Sequence, residues 1–183
     1  LIVKTSESLV FNIFFLRSCE SKGAIPFHQG YKKVSLANLT NKIEGYQAKL
    51  TWKENELHHR KLETVIGKSL KEGGFEIYDH INYLFESIKR NDNGFGITGF
   101  VESIFCEDEF EYYSKYKLTN ERMIILLQEL LFHEVEGKKR QIPYSSFSPR
   151  QLGSMYESFL EFKPFLTNKK LYYIKKKTKN KIS

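Results

Sequence analysis

Two cysteines, Cys19 and Cys106, are too few and too far apart to build a disulfide framework. They read as reduced thiols of a cytoplasmic protein, with Cys19 buried on a helix. Long apolar runs are also missing. The longest, Met123 to Leu127, reaches five residues before Gln128 interrupts it, against the roughly 18 that span a bilayer. No membrane partner is therefore expected. The first residues, Leu1-Ile2-Val3-Lys4, have none of the features of a secretory signal: a basic start, a longer apolar stretch and a small-residue cleavage site. A phosphate-binding P-loop, a Cys–His pair with triad logic and a Gly-x-Ser-x-Gly elbow are all absent.

What is present is ordinary in bulk. Hydrophobic residues make up 40% and charged residues 28% of the 183, values of a soluble globular chain long enough for one domain with a core, or two small ones. Aromatics reach 15%, from 15 Phe, 11 Tyr and one Trp, so rings must supply part of both core and surface. The net charge of +7 is unevenly placed. Seven lysines, Lys169, Lys170, Lys175, Lys176, Lys177, Lys179 and Lys181, fall in residues 169–183 with no acid among them. Setting those seven aside from the 29 basic residues leaves 22 against 22 acidic ones. Such a run is either a solvated linker or an arm for nucleic acid. Without an initiator Met, and with a lysine-rich end that carries no folding signal, the chain reads as a piece of a larger protein.

Helical periodicity dominates the rest. Residues 6–22 read as a helix apolar on most of its circumference (Leu9, Phe11, Ile13, Phe14, Leu16), hence central, with Gly23 as its stop. Ser35 is placed to cap a short helix carrying Leu36, Leu39 and Ile43. Residues 45–72 show a weaker helical pattern, closed by Lys71-Glu72-Gly73-Gly74. From Tyr78 to Arg90, Ile81, Leu84, Phe85 and Ile88 fall at helical spacing, and Asn91-Asp92-Asn93-Gly94 ends the run. A second core helix starts at Thr119 or Asn120 and reaches about His133, followed by a loop with Gly137 and Pro143. Ser148-Pro149, with Gln151 in position for a capping box, opens another helix. Leu152, Met155, Tyr156, Phe159 and Leu160 line its inner face, and Gly153 is expected where a side chain has no room. Leu171-Tyr172-Tyr173-Ile174 suggests a short strand. The expected fold is mostly α and bundle-like, with little or no β structure.

Candidate chemistry is thin. Gly94-Phe95-Gly96-Ile97-Thr98-Gly99 has the letters of a dinucleotide fingerprint, but a helix and a turn precede it where a strand is required, so it reads as a tight turn. Glu136-Gly137-Lys138 matches half of a nuclease metal site. That site also needs an acid on a preceding strand, and the preceding segment reads as a helix. His28, His58, His59, His80 and His133 have no ligand spacing with either cysteine. Trp52, among polar neighbours, is either a packing anchor or a partner contact. No catalytic, cofactor-binding or metal-binding residue is therefore expected in this chain.

Three segments carry a resemblance. Residues 151–161, Gln-Leu-Gly-Ser-Met-Tyr-Glu-Ser-Phe-Leu-Glu, resemble the L-G-S-x-Y-E-x-x-L-E helix of single-chain (type IIG) restriction–modification enzymes and related adenine-specific DNA methyltransferases. Residues 11–23 are similar to that family's R-x-L-F-L-x-x-x-E-x-R-G-L-L-P helix, with Asn12 where Arg is common. Leu84-Phe85 with Gly99-Phe100-Val101 resembles its L-F … Y-N-G-G-L-F stretch, with one glycine in place of two. Order and approximate spacing agree over most of residues 9–162.

The resemblance implies a bacterial, cytoplasmic, non-catalytic helical connector over residues 1–168. Residues 169–183 then form a basic tail towards a methyltransferase domain, with a nuclease or equivalent part on the other side. Leu152, Gly153, Tyr156 and Glu157 are the family-motif structural residues. DNA is the implied partner, with Lys169, Lys170, Lys175, Lys176, Lys177, Lys179 and Lys181 its first candidate contacts. Lys49, Lys53, Arg60 and Lys61 could extend that track, and Tyr172 and Tyr173 could stack on exposed bases. S-adenosylmethionine, and Mg²⁺ where cleavage occurs, belong to the full-length parent; neither the Asn/Asp-Pro-Pro-Tyr/Phe motif nor a cofactor-binding glycine strand end occurs here. The alternative is an independent helical adaptor without an enzymatic parent.

Overall fold

The apolar N-terminal segment forms one helix, α1 (Ile2–Lys22), longer by a turn than its periodicity indicates. This is a computed structural model, and it describes residues 2–25, 28–44, 56–97, 115–161, 163–166 and 171–174. Gly23 stops α1 with φ +67°. The Ala24 N–H donates to Cys19 O (2.9 Å) and the Gly23 N–H to Glu20 O (3.2 Å), the two bonds of a Schellman ending that needs a left-handed residue. Burial on several sides of α1, from Leu9, Ile13, Phe14, Leu16 and Cys19, makes it the central helix.

Two short helices follow, α2 (Gln29–Val34) and α3 (Leu36–Ile43). Ser35 caps α3 as expected, its Oγ accepting the Asn38 N–H at 3.1 Å. Then α4 (Glu56–Ile66) ends earlier than residues 71–74, because Gly67 at φ +66° takes the left-handed position first. Residues 45–55, including Trp52, lie outside the described residues. Next, α5 (Glu76–Lys89) buries Ile77, Ile81, Leu84, Phe85 and Ile88. Its ending repeats that of α1 with Asn91 (φ +51°) in place of glycine: the Asp92 N–H donates to Ser87 O (3.0 Å) and the Asn91 N–H to Ile88 O (3.1 Å). A 3-10 turn, Asn93–Phe95, occupies the expected tight turn. Gly96 there has φ +70°, and a Cβ on it would come within 3.0 Å of the His28 side chain.

The second core helix, α6 (Asn120–Leu131), buries Met123, Ile124, Leu127 and Leu131 and stops two residues short of His133. It does not run into a loop. Phe132–Val135 (β1) and Lys138–Gln141 (β2) form an antiparallel hairpin, with Phe132 opposite Gln141 and Val135 opposite Lys138. Glu136 and Gly137 turn it, at φ +52° and +72°, as a two-residue connection with two left-handed residues requires. The last helix, α7 (Pro149–Glu161), precedes a second hairpin of β3 (Lys163–Leu166) and β4 (Leu171–Ile174). That hairpin straddles the boundary expected between residues 168 and 169. The fold is mostly α, with β structure in the described residues confined to these two ribbons. No helix among the described residues is long and apolar enough to cross a membrane.

A single apolar cluster links these elements: Ile13 and Leu16 of α1, Leu36 and Leu39 of α3, Leu84 and Phe85 of α5, and Met123 and Leu127 of α6. Burying side chains of this size contributes about 1.5–3 kcal/mol each before conformational entropy is charged.

Candidate functional site

The segment that carries the strongest resemblance forms a helix with a complete capping box. The Ser148 N–H donates to Gln151 Oε1 at 2.7 Å, and the Gln151 N–H donates to Ser148 Oγ at 3.2 Å. Pro149 takes the first helical position, where no N–H is needed. Along α7, Leu152 and Met155 are half-buried against the core, while Arg150, Gln151, Gly153, Ser154, Tyr156, Glu157, Ser158 and Glu161 face outward.

Two expectations change here. Gly153 is not confined: a Cβ at that position meets nothing within 4 Å. Tyr156 does not enter the core either. It is 42% exposed and lies over the ring of Phe11 (centroids 4.5 Å apart), which in turn stacks towards Phe15 at 6.0 Å. The side chains of Phe159 and Leu160 lie outside the described residues. Beside Met155 a shallow open groove is lined by Phe147, Arg150, Gln151 and Ser154. Phe147 there packs edge-on against Tyr144 (5.7 Å), and Tyr144 against Phe14 of α1 (5.3 Å).

Two buried polar knots were not legible as such in the sequence. Glu20, on the otherwise apolar α1, is 2% exposed. Its Oε1 accepts from Tyr31 Oη (2.6 Å) and Leu36 N (2.9 Å), and its Oε2 from Ala37 N (2.6 Å). The carboxylate thus satisfies free N–H groups in the first turn of α3, where a negative charge also complements the helix dipole. Burial raises its pKa, against the pull of those hydrogen bonds and of Arg17. Burial, with the Glu20 charge, likewise pushes the neighbouring Cys19 thiol up to about 11, which leaves it an unreactive thiol. The knot is structural.

The second knot is Asn120, fully buried at the start of α6. Its Oδ1 accepts the Ile77 N–H (3.0 Å), and its Nδ2 donates to Lys71 O (3.0 Å) and Glu76 Oε2 (2.6 Å). It locks the starts of α5 and α6 together. Glu20 stands at the acidic position of the motif that residues 11–23 resemble, and Asn120 at an expected helix start, but neither signal indicated which distant backbone groups the side chain would meet.

The remaining candidates do not converge on one site. Before Glu136-Gly137-Lys138 lies a strand, not a helix, and Glu134 stands on it opposite Lys139. Even so, no three His, Cys, Asp or Glu side chains gather among the described residues. His80 is buried with its Nε2 2.7 Å from Val34 O, and His59 is buried on α4. Arg60 and Lys61 are exposed on α4. Lys49, Lys53, Cys106, Lys169, Lys170, Lys175, Lys176, Lys177, Lys179 and Lys181 lie outside the described residues, as do the side chains of Tyr172 and Tyr173. Compared with protein-family models, curated proteins and solved structures, the chain matches none.

Proposed function

We propose that this chain is a non-catalytic helical connector and DNA-positioning segment of a bacterial restriction–modification enzyme whose full-length form methylates adenine in DNA, with or without cleaving it. S-adenosylmethionine, and Mg²⁺ where cleavage occurs, would be held by the flanking methyltransferase and nuclease domains and by no residue of this chain. The observation that carries the reading is α7. Its motif residues form a well-capped helix that leaves Tyr156 and Glu157 at the surface, available to a domain that follows.

The test is the coding sequence beyond Ser183. The proposal expects an Asn/Asp-Pro-Pro-Tyr/Phe motif and a cofactor-binding glycine strand end there. The protein expressed from the uninterrupted frame should transfer a methyl group from S-adenosylmethionine to adenine in duplex DNA. A frame without those motifs, and a product without that activity, would leave the independent helical adaptor as the better reading.

A further inference from the structure

We infer that the outer face of the β1–β2 hairpin is a contact surface for the phosphate backbone of duplex DNA. The choice of DNA rests on the function proposed above; the location rests on the hairpin itself. Residues opposite one another in an antiparallel pair share a face. The register therefore sorts the ribbon into an inner face of Phe132, Glu134, Lys139 and Gln141 and an outer face of His133, Val135, Lys138 and Arg140. On the inner face Phe132 is buried, Lys139 and Gln141 are half-buried and Glu134 is exposed; on the outer face His133, Lys138 and Arg140 are exposed and Val135 is half-buried. The outer face holds two cations, a histidine and no acid.

Acids lie where they do not compete for that face. Glu134 sits opposite Lys139 on the inner face, and Lys139 also reaches Glu129 of α6 at 3.6 Å. Glu136 lies in the turn, so phosphates would meet the flank of the ribbon and not its tip. Lys138 and Arg140 alternate along one strand about 7 Å apart, which lets them meet neighbouring phosphates of one DNA strand.

The hairpin is also held at its base. Gln141 Nε2 donates to Asn41 Oδ1 (2.9 Å) and Glu44 Oε2 (3.1 Å), and the Ile142 N–H donates to Leu131 O (2.9 Å). The ordering entropy of the arm is thereby already met when DNA arrives. A two-stranded ribbon is of a size that the major groove, about 12 Å wide, accepts.

The test is titration of a fluorescent duplex with the full chain across a salt series. Lys138→Gln/Arg140→Gln is compared with Lys32→Gln/Lys33→Gln, which removes the same charge from the exposed surface of α2. The hairpin pair should weaken binding about tenfold at low salt and reduce the slope of log K against log salt by about two, the loss of two phosphate contacts. The α2 pair should leave the slope near that of the parent. A Lys138→Arg/Arg140→Lys exchange should bind like the parent, and circular dichroism checks that every variant keeps its helices. An unchanged slope in the hairpin pair, equal losses in both pairs, or no duplex binding by the parent each overturns the inference. Binding to phosphatidylserine vesicles in preference to DNA overturns it too, in favour of an anionic lipid surface. None of these outcomes bears on the motifs expected beyond Ser183, so the two proposals fail separately.

Discussion

Helices α5 and α7 carry apolar residues at the same spacing yet end in opposite situations. On α5, Ile77, Ile81, Leu84, Phe85 and Ile88 are all buried, covered by side chains of this same chain. On α7, Leu152 and Met155 are only half-buried and Tyr156 stays at the surface. Periodicity therefore identifies which face of a helix is apolar, and says nothing of what covers it. A helix apolar on one stripe is complete only when a neighbour supplies the other half of the contact. For α5 that neighbour is within the described fold.

The sharpest way to break the comparison is to truncate one ring in each region. Phe85→Ala should cost about 3–5 kcal/mol, since it opens a cavity in a packed interior. Tyr156→Ala should cost under about 1 kcal/mol, because much of that ring already meets water. Urea unfolding followed by circular dichroism measures both. Similar losses from the two would mean that α7 is as integral to this fold as α5.

The core also contains a residue that works against it. Gln128 of α6 is 1% exposed, and neither its Oε1 nor its Nε2 finds a hydrogen-bond partner among the described residues. Burying an unpaired amide costs about 1–3 kcal/mol. Gln128→Met, of similar shape, should accordingly raise stability by about 1–2 kcal/mol and shift the urea midpoint upward. A drop in the midpoint would show that the amide is satisfied after all.

On α7 the predicted gain is smaller. Gly153→Ala should stabilise by about 0.5–1 kcal/mol, the helix-propensity difference, because the new methyl has open space. Destabilisation would mean that the position is crowded.

The last effect is a dependence on pH. Burial holds the pKa of His80 below its ordinary 6.5, as does the Lys68 charge, with the contact to Val34 O opposing them. Below pH 6.5 the unfolded chain then binds more protons at this site than the folded one. The contribution of His80 is present above that pH and is lost as pH falls through the folded pKa. Comparing the protein with His80→Gln at pH 7.5 and 5.5 isolates this contribution. The parent should lose stability relative to the variant on acidification, and parallel behaviour of the two would refute the assignment.

Much of the architecture was legible because its signals are local. The capping residues Ser35 and Ser148, the stop at Gly23 and the apolar stripes of α1, α5 and α6 each depend on residues within one or two turns. The β1–β2 hairpin was missed for a physical reason. Phe132-His133-Glu134-Val135 and Lys138-Lys139-Arg140-Gln141 lack a β-branched, alternating pattern, and Glu-Gly is not among the favoured turn pairs. Gly67 preceded the expected stop of α4, and nothing local distinguished it from Gly73.

By itself the sequence determined the helical class, the starts of α3, α6 and α7, the stop of α1, and the apolar stripes of α1, α5 and α6, because backbone capping and side-chain periodicity are short-range. Only the tertiary structure decided that Glu20 serves the first turn of α3, that Asn120 joins two helix starts, and that Tyr156 remains outside while Phe85 is enclosed. It also decided that His133, Lys138 and Arg140 share one face of a ribbon. Each of these depends on groups that segments distant in the chain bring within bonding reach, and a buried polar group is tolerable only when such a partner arrives.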